Sequence, residues 1–245
     1  MRIDRALIIR RLGVPESLEY AQICASGCEK HDVPYEYIDG IEFMSSEDAF
    51  KAVGVWMNPD QKKQAQGRGV STGNNNCHAS HIKAWRRIVE LDRACVIFEH
   101  DIIVKGNVCI ANIEDMTINI FGHRINDPNR YEPIGPIEGI VKIENSIGGH
   151  AYGITPATAQ WLINDAEQNG VNINVDEWIN LRCGLSLYIT DPPQVVCHPR
   201  TSTREWVDPN KKVQFIGHTT TFGNSYTEKC KLGYVYNKEY DNVKS

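Results

Sequence analysis

Ala94–Phe98 is a run of five apolar residues with β-branched side chains at its centre. A strand with one wet face alternates apolar and polar residues, so a run without alternation predicts a strand covered on both faces. The residues before it supply one cover. Ile82, Trp85 and Val89 recur at helical spacing while Lys83, Arg86 and Arg87 fall on the opposite side, giving an amphipathic helix that leads into the strand. Glu99, His100 and Asp101 follow directly, so acids crowd the strand's end.

The N-terminal forty residues repeat this logic. Ala6–Ile9 reads as a strand, Leu12–Ser17 turns into a helix with Leu18, Ile23, Ala25 and Cys28 at its apolar positions, and Pro34–Ile38 reads as a second strand closed by Asp39 and Gly40. A strand, helix and strand in so short a stretch make a βαβ unit, which forces parallel pairing with a right-handed crossover. The expected fold is therefore α/β with a mostly parallel central sheet. With 245 residues, 41% of them hydrophobic, there is material for one core. A single domain over residues 1–245 is expected, with 207–245 as a C-terminal extension whose apolar content is mainly aromatic, as at Phe215, Phe222, Tyr234 and Tyr236.

Between these landmarks, Phe50, Val53 and Val55 suggest helical packing, and the polar stretch Asn58–Gly69 is expected to be a loop that can cover a site. Ile102–Val104 and part of Ile113–Phe121 read as extended, and Asp127–Gly139, rich in Pro and Gly, as a loop. Thr155 can cap a helix that has Pro156 in its first turn, Ala159, Leu162 and Ile163 on its inner side and Gly170 past its end. Leu185–Ile189 and Gln194–Cys197 are extended segments flanking Pro192 and Pro193.

The net charge of -5 and a pI near 5.9 give no general basic surface for nucleic acid. The first twenty residues set charges on both sides of a brief apolar run, unlike a secretory core or a membrane span. The eight cysteines are scattered. Together these features lead to the expectation of a cytoplasmic protein with reduced thiols. Cys24 and Cys28 share a helix face, and Cys77 lies near His78 and His81, but no second close Cys or His pair completes a structural zinc site.

Open α/β sheets bind ligands beyond the carboxyl ends of their strands. Residues two apart in an extended strand share a face, so Glu99 and Asp101 can converge on one Mn2+ or Mg2+ ion, which prefers oxygen ligands and phosphate. A nuclease or phosphatase would need more clustered acids, and the nearest others, Glu114 and Asp115, fall on a surface segment. Ser80 and His81 are adjacent on a helix and cannot form a nucleophile and base pair.

Cys77, Ser80, His81 and Trp85, followed by an apolar strand and an acidic triplet, resemble glycosyltransferase family 25, the lipooligosaccharide and collagen sugar transferases. The chain departs from that family at His100, where members have an acid, and at Asn76, where they have a glycine before the cysteine. Gly148–Thr155 resembles the family's second block and Asn174–Asn180 its third. The resemblance implies a GT-A-like (Rossmann-like) nucleotide-sugar domain. It places Arg10, Arg11 and Asp39 near the nucleotide, gives Ser80 and His81 a phosphate contact or a packing role beneath the acids, and sets Gly149, His150 and Tyr152 against the sugar. Tyr152, alternating with apolar neighbours, also suits the core. Asp176 becomes the candidate general base, while Glu99 and Asp101 with a late histidine, His198 first and His218 second, become the metal ligands. The implied reaction moves galactose or glucose from a UDP-sugar to an acceptor hydroxyl on a glycan, a lipid-linked glycan or a protein, with inversion. The substitutions at His100 and Asn76 prompt the alternative of a degenerate member that only binds a sugar nucleotide or glycan.

Overall fold

The structure is a computed structural model that describes residues 1–61, 71–122, 139–143, 149–181, 185–191 and 194–197. The βαβ unit forms as its pattern requires. Strand β1 (Arg5–Arg10) buries its four central residues, helix α1 (Pro15–Lys30) starts on a proline, and β2 (Tyr35–Asp39) pairs with β1 in parallel. Helix α1 turns Tyr20, Ala21, Cys24, Ala25 and Cys28 inward; of the four expected apolar positions Ala25 and Cys28 are buried, whereas Leu18 is exposed and Ile23 half-buried, because the inner face is rotated toward Tyr20 and Cys24.

Helix α2 (Ser46–Ala52) is capped by Ser45 and buries Phe50. The long α3 (Thr72–Leu91) is capped by the Ser71 hydroxyl, which accepts from the Asn74 amide, and stops at Asp92 in the left-handed conformation (φ 49°). It feeds β3 (Cys95–Glu99), whose first four residues are buried, as a strand without alternation demands. Next come β4 (Ile102–Val104), β5 (Thr117–Ile120), β6 (Gly139–Ile143) and β7 (Ala151–Ile154). Helix α4 (Pro156–Asn169) has Thr155 as its cap and Gly170 beyond its end, and α5 (Val175–Leu181), β8 (Ser186–Asp191) and β9 (Val195–Cys197) complete the order.

Seven strands form one sheet in the order β2-β1-β3-β7-β5-β8-β6. Steps β2–β1, β1–β3 and β5–β8 are parallel, and β3–β7, β7–β5 and β8–β6 antiparallel, so five strands point one way while β7 and β6 run against them. The sheet is mostly parallel, as expected. Its reversed member β7 has a functional consequence: the residues that precede it arrive beside the carboxyl end of β3. A small antiparallel sheet of β4 and β9 packs with α1 on one face of the main sheet, around Ile8, Val96, Phe98 and Ile102. Helices α2 to α5 cover the other face, around Leu7, Ile97, Trp85 and Trp178.

The structure refines two readings. The strand ends at Glu99, and His100 and Asp101 form a turn, so the two-residue period does not extend to Asp101. Strand β6 was not read from the sequence, where only its first residue, Gly139, fell within an expected loop. Of the expected covering loop, Asn58 and Gln61 are tied to the α4–α5 connection, donating to Asn169 O (2.6 Å) and Gly170 O (2.8 Å). Residues 62–69, most of 127–139, Gly148, His198, His218 and the 207–245 extension lie outside the described residues. No helix among the described residues is long and apolar enough to cross a membrane.

Candidate functional site

Parallel pairing puts the ends of β2, β1 and β3 in a row. Arg10 is in register with Asp39, and Ile9 with Glu99, so Asp39, Arg10 and Glu99 stand at one sheet edge. The Arg10 Nε donates to Asp39 Oδ1 at 2.8 Å, and its guanidinium sits 4.2 Å above the Tyr37 ring. The Asp39 side chain keeps 45% of its exposure, so this pair contributes little stability and stays in reach of a ligand. The Arg11 guanidinium lies beside the Phe43 ring and 3.7 Å from Glu42.

Helix α3 turns the polar residues of its first half inward, and each has a structural task. Asn76 donates to Met44 O (3.0 Å) and Thr72 O (2.7 Å), clamping the chain after β2. The Ser80 hydroxyl donates to Asn76 O at 2.7 Å and accepts from the Ile41 amide at 2.8 Å. Ser80 thus serves the scaffold beneath the carboxyl end of β2, and an asparagine at 76 does work a glycine could not. His78 meets Ile173 O at 2.8 Å and is enclosed edge-on by Phe50, Trp85 and Trp178, fixing the approach to α5.

One turn further on, Cys77 and His81 share a helix face and meet Glu99. The Cys77 thiol is 3.6 Å and His81 Nε2 3.4 Å from Glu99 Oε1. Beneath them, Tyr152 is 1% exposed, and its hydroxyl lies 2.9 Å from His81 Nδ1 and 2.7 Å from Trp85 Nε1. Tyr152 is therefore a core residue under the site and does not stack on a sugar. Burial pushes its phenol well above the ordinary value, the Trp85 hydrogen bond opposes this, and Cys77, Glu99 and Asp176 push the same way as burial.

The reversed entry into β7 supplies the other half. The Glu99 amide donates to His150 O at 2.9 Å, and the Gly149 amide donates to Asp176 Oδ1 at 2.8 Å. Glu99 and Asp176 therefore bracket the Gly149–His150 pair. A Cβ on residue 149 would sit 2.6 Å from Asp176 Oδ1, so only glycine permits this approach. Asp176 lies in the first turn of α5, yet its carboxylate serves a neighbouring segment's backbone. The His150 side chain is buried.

Glu99 turns to α3, whereas Asp101 acts on the α1 side, where its charge adds to the Cys28 hydrogen bond and burial in pushing the Cys24 thiol well up. A hard cation takes one or two carboxylates and fills its shell with phosphate and water, which Glu99 alone can begin; the expected convergence of Glu99 and Asp101 on one ion is not what the turn after β3 produces. The described residues that gather three ligand atoms are Cys77, His81 and Glu99, a sulfur, nitrogen and oxygen set more typical of zinc. The sequence carried two signals for this group, Cys77 and His81 four apart on a helix and the resemblance that set His81 beneath the acids, but neither singled out Glu99 as the shared partner.

The sequence pattern of Glycosyltransferase family 25 (LPS biosynthesis protein) matches residues 16–179. The chain belongs to glycosyltransferase family 25. The matched span runs from α1 to α5 and takes in Glu99, Gly149 and Asp176, while Arg10 and Arg11 precede it. No curated protein matches this family 25 chain significantly. Among solved structures it is similar to the galactosyltransferase LgtC in complex with donor and acceptor sugar analogues, at 11% identity and a TM-score of 0.43 over 97% of this chain and 99% of that one. A glycosyltransferase involved in glycosylating the major capsid of PBCV-1 is similar at 10% identity and a TM-score of 0.40, over 82% and 95% of the two chains. The apo form of GlyE from Streptococcus pneumoniae TIGR4 is similar at 10% identity and a TM-score of 0.39, over 76% of this chain and 45% of that one.

Proposed function

We propose that this family 25 member transfers galactose or glucose from a UDP-sugar to a hydroxyl of a glycan, a lipid-linked glycan or a protein, with inversion at the anomeric carbon. The observation that carries the reading is the Asp176 carboxylate held to the Gly149 amide, next to His150, whose carbonyl accepts from the Glu99 backbone, at the edge that also presents Arg10 and Asp39. Arg10, Arg11 and Asp39 would hold the nucleotide, whose anionic diphosphate then lies toward Glu99. Asp176 would accept the acceptor hydroxyl's proton as the new bond to the anomeric carbon forms, the bond to the diphosphate breaks and UDP leaves. General-base help of this kind contributes roughly 100- to 10,000-fold. A Mn2+ or Mg2+ ion held by Glu99, with His198 as an expected further ligand, would neutralise charge on the leaving diphosphate; Asp101, expected as the second carboxylate, stands in the turn after β3 and on the α1 side.

The test is a panel of UDP-sugars with and without manganese, read by donor hydrolysis and by thermal stability. UDP-galactose or UDP-glucose should raise the melting temperature with metal and be hydrolysed, Glu99→Ala should lose both effects, and Asp176→Asn should keep the thermal shift while losing transfer. If other nucleotides stabilise the protein and UDP-sugars do not, the donor class is wrong. His100, buried between the two acids where the family has a third, favours one second reading, a binding-only member. Metal-dependent stabilisation by a UDP-sugar without any hydrolysis would select it.

A further inference from the structure

The Cys77–His81–Glu99 group has the atoms of a zinc site, but the hydrogen bonds beneath it decide otherwise. Trp85 Nε1–H can only donate, and it donates to the Tyr152 hydroxyl oxygen at 2.7 Å. Tyr152 and His81 are both buried, so the phenol's own proton needs an acceptor, and among the described residues His81 Nδ1, at 2.9 Å, is the one in reach. The two rings lie within 11° of parallel. An Nδ1 that accepts carries no proton, so a neutral imidazole must carry it on Nε2, the nitrogen that faces Glu99 Oε1 at 3.4 Å.

We propose that Trp85, Tyr152 and His81 form a directional hydrogen-bond relay that locks His81 as its Nε2–H tautomer and delivers that proton to Glu99. His81 is then a positioning residue for the acid, and Tyr152 is a positioning residue for His81. The same arrangement opposes zinc, because Nε2 would have to give up its hydrogen and Nδ1 take one, leaving the Tyr152 proton without its acceptor. With Cys77 Sγ 3.6 Å from the same Glu99 oxygen, two donors converge on Oε1 and fix how the carboxylate is presented. The tautomer stands independently of the reaction. Only the consequence for Glu99 as a ligand of the donor rests on the transferase reading above.

The experiment is a long-range 1H–15N spectrum of the histidine rings in the full-length protein without nucleotide, with His81 identified by the signals that vanish in His81→Gln. A neutral ring with its proton on Nε2 is expected. An Nδ1–H ring or a doubly protonated one overturns the relay, whether or not the protein turns over any sugar nucleotide. In Tyr152→Phe the Nε2–H signature should give way to the other tautomer or to a mixture, and a folded variant that keeps the wild-type signature also overturns it. Should that variant not fold, the wild-type spectrum decides alone. Zinc titration is the second arm. Wild-type protein should bind no zinc ion whose binding Cys77→Ser and His81→Gln both abolish, and finding such an ion refutes the proposal.

Discussion

Gly149→Ala probes the joint that holds the candidate base, and its cost can be built from the contacts. By restricting the unfolded chain, alanine in place of glycine stabilises by about 0.4–1 kcal/mol where the native backbone accepts it. Against this, the new methyl would lie 2.6 Å from Asp176 Oδ1 and 3.2 Å from Val175 Cγ1. Overpacking of this kind costs about 1–3 kcal/mol. The carboxylate must move, and the 2.8 Å bond from the Gly149 amide goes with it. A hydrogen bond to a charged group contributes about 1.5–3 kcal/mol. The balance is a net loss of roughly 1.5–5.5 kcal/mol, measurable by urea unfolding. Asp176→Ala removes the same bond and the clashing oxygen, so Gly149→Ala/Asp176→Ala should be less destabilised than the sum of the single changes, by at least about 1.5 kcal/mol. Additive effects, or a stabilised Gly149→Ala protein, would refute the close approach and with it the anchoring of Asp176 beside Glu99.

Three further expectations can be checked on the same protein. Thr155 accepts from the Thr158 amide and donates to Asp115 at 2.6 Å, so Thr155→Ala should cost about 1–2 kcal/mol in urea unfolding, and a change of only a few tenths would show the cap is idle. Burial pushes the Cys95 thiol up to about 12 and that of Cys109 up to about 11, from an ordinary 9.0. The unfolded chain loses these protons first, so stability present below pH 9 should fall as pH rises toward 11–12, by about 1.4 kcal/mol per pH unit per thiol, and Cys95→Ala should flatten the slope. In the native protein a thiol reagent should label Cys77 before Cys24, Cys28, Cys95 and Cys109, because the last four are buried, and simultaneous labelling would contradict the two core layers.

Much of the scaffold was legible because it follows local rules. The apolar run at 95–98 and the Thr155–Pro156 start of α4 each reflect a periodicity or a capping preference carried by a few neighbouring residues. The block around Cys77, Ser80, His81 and Trp85 pointed to family 25 by the same directness. Strand β6 escaped because an edge strand is defined by its partner, β8, about fifty residues further along the chain.

The chemistry was legible as a set of residue types and illegible as an arrangement. Asn76, Ser80 and His81 look alike in sequence, as polar residues on a helix, yet the first two tie down the segment after β2 and the third touches Glu99. Asp101 stands two residues from Glu99 and was expected to share its face, but the turn after β3 breaks the alternation that expectation needs.

What the chain's order of residues determined alone was its α/β class, its βαβ start, the ends of α4 and its family, since spacing and capping act over a few neighbours. Tertiary structure decided that His81 meets Glu99 and that Asp176 meets Gly149, because the first depends on how α3 packs over β3 and the second on β7 running against β3. Strand direction is chosen by which surfaces bury together, and no short stretch of sequence contains that choice.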